Sequence, residues 1–163
     1  MLRSIPVAAL FLLATAAGDA AAQRAGGSSM VSVSAKVGGK SYDASGPGSC
    51  RHSPNAAIYD VPAALWMVEQ APSGEGAIKG VHLTLWRPKN GSSEQVSLSL
   101  KTRSSSHRIS SGGKAQPVGS ASVKLSPLGS GGRFELKGKD AKGTNIEVTI
   151  KCPAFAGVEA AGG

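Results

Sequence analysis

Aromatic residues are few in this chain, and acids are outnumbered by bases. Three Phe, two Trp and two Tyr make up 4% of 163 residues. So few rings argue against a large aromatic-lined pocket. They also argue against the stacking platforms that hold single-stranded nucleic acid, and no nucleic-acid partner is expected. Two cysteines exclude a Cys-dense miniature scaffold. No apolar run approaches the roughly 20 residues needed to span a bilayer, so no transmembrane segment is expected in the mature protein.

The motifs of common chemistries are missing as well. There is no G-x-S-x-G elbow, no H-x-H or HExxH pair and no EF-hand loop. Gly39-Lys40-Ser41 ends like a phosphate loop, but Ser34 stands where the first glycine belongs. Gly74-Glu75-Gly76 is followed by Gly80, one residue late for a dinucleotide fingerprint. Acids occur singly, without the pairing that glycoside hydrolysis needs. No cofactor, metal or catalytic residue is expected. His52, His82 and His107 read as solvated surface residues, although any of them could meet a serine in space.

The N-terminus carries an address. Arg3 precedes an apolar run, Val7–Ala17, and Ala20-Ala21-Ala22 supplies the small residues of a cleavage site. A signal peptide over residues 1–22 would leave 163 − 22 = 141 residues, in a secreted or periplasmic protein. Arg3 and Asp19 would leave together, so the net charge of +8 stays with the mature chain. In an oxidising compartment, Cys50 and Cys152 form the one possible disulfide. Closing a loop of about 100 residues is worth roughly 4–5 kcal/mol in the chain-entropy model.

Gln23–Ser29 reads as a flexible leader and 156–163 as a disordered tail, bracketing a domain over 30–155. Within the domain, apolar and polar residues alternate. Val31, Val33, Ala35 and Val37 form one row, and Val81, Leu83 and Leu85 another. Further rows are Val96, Leu98, Leu100; Ala121, Val123, Leu125; Phe134, Leu136; and Ile146, Val148, Ile150, continued by Cys152. Period two means half-buried antiparallel strands. Gly38-Gly39, Asn90-Gly91, Gly129–Gly132 and Lys142-Gly143 supply the turns. That turn role also accounts for Asn90-Gly91-Ser92, formally a glycosylation sequon. The expected fold is all-β, an antiparallel sandwich or partly open barrel of about eight to ten short strands with one disulfide. A strand is expected through Trp66–Glu69, bounded by Pro62 and Pro72. Thr102–Gly119 is expected to be a long polar loop with a short edge strand near His107–Ser110. The bridge would then tie the last strand to a loop at Ser49–Arg51.

Val37-Gly38-Gly39-Lys40, Gly48, Cys50 and the closing Ile146–Cys152 strand resemble the layout of the LpqH-type mycobacterial secreted lipoprotein antigens. The resemblance implies a small, β-rich, non-catalytic envelope protein. This chain lacks the lipobox cysteine of that family, so lipid anchoring is not implied.

What remains for function is charge. Lys36, Lys101, Lys124, Lys137, Lys139 and Lys151 fall on or beside outward strand positions. Such a face would suit an anionic lipid, a glycan or an acidic protein, although outward lysines also protect sheet edges and keep a protein soluble. Trp86, Arg87, Arg103, His107, Arg108 and Lys114 are the candidate contact surface, with Trp86 beside Arg87 as an exposed aromatic–arginine patch. Alternatives are an inhibitor or accessory subunit docking a protein through the 102–119 loop, and a cryptic hydrolase.

Overall fold

The computed structural model describes residues 28–58, 60–71, 76–112 and 117–158. Residues 1–27, where a signal peptide and most of a leader are expected, and residues 159–163 lie outside the described residues. Ten strands follow in order: β1 (Ser29–Val37), β2 (Lys40–Ile58), β3 (Val61–Gln70), β4 (Ile78–Pro88), β5 (Gln95–Thr102), β6 (Ser106–Ser111), β7 (Ser120–Leu128), β8 (Gly131–Lys139), β9 (Asn145–Cys152) and β10 (Ala156–Gly157).

Nine of them form one sheet in the order β6-β5-β4-β3-β2-β1-β9-β8-β7, every neighbouring pair antiparallel. The sheet curls until it is nearly a closed barrel, as alternation allows when every strand buries one face. The predicted apolar rows fill its interior, with Val31, Leu85, Leu100, Phe134 and Ile146 fully buried. On β7 the row Ala121, Val123, Leu125 is only partly buried, as befits an edge strand with one ladder.

Nine is an odd number, and that decides how the barrel ends. Directions alternate along the sheet, so β6 and β7 run the same way. No antiparallel ladder can join them. Instead the chain leaving β6 doubles back, and Val118 makes a two-bond antiparallel bridge with Ser110, at 2.8 Å in both directions. Gly119 (φ +79°) then turns the chain into β7, where a Cβ would fall on the carbonyl of Lys139. Only glycine fits that corner.

β2 is long because it serves both halves of the barrel. Its first part pairs with β1 and its second with β3, and Gly48 pairs with both Ser29 and Gln70. A Cβ at Gly48 would fall on the carbonyl of Glu69. The sharp change of partner therefore needs a residue without a side chain.

Several expectations are corrected here. Cys50 sits within β2 and not in a loop, because Arg51–Ser53 continue the ladder with β3. It is bonded to Cys152 at the end of β9, with a Cα separation of 6.0 Å. Pro62 lies inside β3, tolerated because only its carbonyl is used, accepting from Lys89 N–H at 2.8 Å. The leader ends earlier than expected, since Ser29 already pairs with Gly48. The tail is ordered at its start: Ala156–Gly157 run parallel to Arg51–His52, and Val158 N–H donates to the His52 carbonyl at 3.3 Å.

The end of the barrel beyond the disulfide is plugged by rings. His52 stacks flat on Trp66 at 4.5 Å, and Phe155 stands edge-on to Phe134 at 6.0 Å.

The bridge spans 102 residues of chain. Replacing both cysteines, Cys50→Ala with Cys152→Ala, should lower unfolding free energy by about 2–5 kcal/mol in urea titration. Addition of reductant should lower the wild type similarly and leave the double variant unmoved.

Candidate functional site

Two assemblies of polar side chains stand out, one on the barrel wall and one at its seam. The wall is set by register. Outward positions on β7, β8, β9 and β1 line up across the sheet in rows. One row reads Ser122, Lys137, Glu147, Lys36; the next Lys124, Glu135, Thr149, Ser34; the third Ser126, Arg133, Lys151, Ser32. With Lys139 there are six cations on these four outer faces, all exposed, against two acids, Glu135 and Glu147. Ser and Thr fill the spaces between. Arg133 reaches back to Glu135 at 2.8 Å, so part of the negative charge is already engaged. The opposite wall, β3 to β6, carries Lys79, Lys101 and Arg108 with Glu69. The positive charge is therefore sided.

The seam holds a chain of hydrogen bonds. His107 on β6 places Nδ1 2.8 Å from Asp140 Oδ2, in the β8–β9 connection, and Nε2 2.8 Å from Ser105 Oγ. Ser105 Oγ lies 2.9 Å from Thr102 Oγ1. Asp140 is buried. Its other oxygen accepts from the backbone N–H groups of Lys142 and Thr144, both at 2.9 Å. Burial pushes its carboxyl up, but the bonds from His107 and from the Thr144 and Lys142 backbone outweigh this and hold it at about 2. With Asp140 ionised, Nδ1 carries the proton and donates. In neutral His107, Nε2 then accepts from the Ser105 hydroxyl. This pair joins β6, one edge of the sheet, to the β8–β9 connection beside Gly119, where β7 begins.

The expected contact residues are not brought together. Trp86 does lie on the outer face, but it is only 9% exposed, and its Nε1 is buried without a hydrogen-bond partner. Arg87 points the other way, as successive residues of a strand must. Its guanidinium sits 5.4 Å over the Trp66 ring and pairs with Glu94 at 2.7 Å. The exposed Trp86–Arg87 patch is thus corrected. Arg103 braces the loop after β5 through the Gly76 carbonyl at 3.4 Å. Arg108 is exposed on β6, and Lys114 lies outside the described residues. His107 is built into the seam and His52 into the ring plug, so neither is a free surface histidine. His82 is exposed, 3.2 Å from Thr84 Oγ1. Among the described residues, no three His, Cys, Asp or Glu gather as a metal site. The sequence reading missed Ser105 and Asp140, because 33 residues separate Asp140 from His107 and no local spacing marks the pair.

Comparison with known proteins finds no matching family, no similar characterised protein and no similar solved structure.

Asp140 ties seam electrostatics to acid stability. Its pKa in the fold is depressed below 3.8, so its contribution is fully present above that value and is lost as pH falls through about 2. Asp140→Asn should destabilise the protein by roughly 1–3 kcal/mol at neutral pH. Equilibrium unfolding between pH 2 and pH 5 should show a correspondingly smaller acid dependence in the variant.

Proposed function

We propose that this is an exported, non-catalytic binding protein whose β7-β8-β9-β1 wall takes an anionic partner of the cell envelope. The observation that carries the reading is the sidedness of charge: six exposed cations against two acids on one wall, a surplus of four, and three against one on the other, a surplus of two. Lysines placed only for solubility or edge protection have no reason to gather on the strands of one wall. Three of those strands, β1, β8 and β9, are paired on both sides and have no edge to guard. A wall of Lys, Arg, Ser and Thr offers charge and hydrogen bonds without ring stacking, which suits phosphate, sulfate or carboxylate groups.

Binding of a soluble polyanion such as dextran sulfate should weaken at least about tenfold between low and physiological salt. Lys124→Glu with Lys151→Glu should weaken it by a similar factor, while Lys101→Glu with Arg108→Glu on the other wall should not. Salt-independent binding, or equal loss from both walls, would remove the reading.

A second reading rests on the seam. Ser105, His107 and Asp140 are wired as a serine nucleophile, its base and the base's orienting acid. Against it, the backbone N–H groups of Ser104 and Ser105 are already spent on Thr102 Oγ1, at 3.3 and 3.0 Å, which leaves neither to hold an oxyanion. A fluorophosphonate probe should therefore leave the protein unlabelled. Labelling that disappears in Ser105→Ala and in His107→Ala would move the conclusion to a hydrolase.

A further inference from the structure

The two most exposed large hydrophobic side chains among the described residues are Met30, at 62%, and Leu128, at 44%. They are far apart in sequence, yet register puts them on one rim. Met30 shares the outward face of β1 with Ser32, and Leu128 shares that of β7 with Ser126. Leu128 pairs with Gly131 on β8, and Met30 pairs with Pro47 on β2. Three strand steps separate them, about 14 Å. Exposed Pro47 and Pro153 lie at the same rim, with exposed Ser28 and Ser130 between these carbon surfaces.

The next row inward along these strands, about 7 Å behind, is Ser126, Arg133, Lys151, Ser32. An apolar rim with cations one step behind it is the arrangement of a surface-seated membrane protein. The apolar tips enter the boundary between head groups and acyl chains, and the cations stay level with the phosphates. A soluble polyanion would have no use for the rim. Neither half is strong alone: a few apolar side chains bind a bilayer only marginally, as does a short cationic patch, and stable seating takes both.

Resting on the binding role above, we infer that the partner is an anionic lipid bilayer, met rim-first by Met30 and Leu128 with Arg133 and Lys151 behind. The test uses the chain from Gln23 onward, which holds every described residue and excludes the apolar run at Val7–Ala17. Co-sedimentation with vesicles containing about one third phosphatidylglycerol should succeed, and with pure phosphatidylcholine it should fail. Met30→Ser with Leu128→Ser should weaken vesicle binding about tenfold or more, while dextran sulfate binding and the thermal midpoint stay unchanged. Leu128→Trp should gain a blue-shifted emission component on anionic vesicles only. Vesicle binding that ignores the rim variants, or a Leu128→Trp emission that does not move, overturns the inference. Binding of dextran sulfate without vesicles overturns it too but spares the binding role, and binding of neither overturns both.

Discussion

A sheet of nine strands, each antiparallel to its neighbours, cannot close upon itself with another antiparallel pair. Its two outer strands run in the same direction, so the last ladder is missing however tightly the sheet curls. Other features of the seam follow from that parity. Val118 doubles back to give Ser110 the two bonds that β7 cannot give it. Gly119 makes the corner that this detour requires. The His107–Asp140 pair then crosses the seam from β6 to the β8–β9 connection with a bond to a carboxylate, which is stronger than a neutral one. The half-exposed row on β7 is the residue of the same constraint: a strand with one ladder has one neighbour to cover it.

Much of this architecture could be read from the chain before any coordinates. Alternation of Val31 to Val37 and of Ile146 to Ile150 marks buried rows because the side-chain period of a strand is two, whatever the strand pairs with. The disulfide was legible by arithmetic, two cysteines having one pairing. What was not legible is whatever depends on who lies beside whom. Trp86 and Arg87 are neighbours in sequence and opposites in space, since one residue step reverses the face. Trp86 is outward by parity and yet covered, which alternation cannot foresee. Asp140 looked like one scattered acid among others until curvature carried β6 to the β8–β9 connection.

The seam also separates two readings that share the same atoms. Ser105, His107 and Asp140 have the connectivity of an acyl-transfer site, but connectivity is only part of such a site. Developing negative charge must meet donors that are free to receive it. Here the nearest backbone donors serve Thr102, and Asp140 is pinned by the turn it caps. These side chains, with those donors satisfied, hold β6 to the β8–β9 connection.

Charge is where parity and register combine. The chain has an excess of eight positive charges, but a net charge has no direction until strands are paired. Antiparallel pairing sets Arg133 opposite Lys151, and Arg133 turns back along its own strand to Glu135 at 2.8 Å. Like charges directly opposite on a sheet are unfavourable. A structure selected for stability alone would gain by exchanging one of them for an acid, as it has done two rows away where Lys137 faces Glu147. The cation pair is instead kept in the row nearest the exposed Met30 and Leu128. With Arg133 turned to Glu135, Lys151 is the cation of that row without an ion pair among the described residues, and it is the charge that an anion at the rim would meet. The same anion would have to be attached to an apolar phase for the rim to be worth exposing.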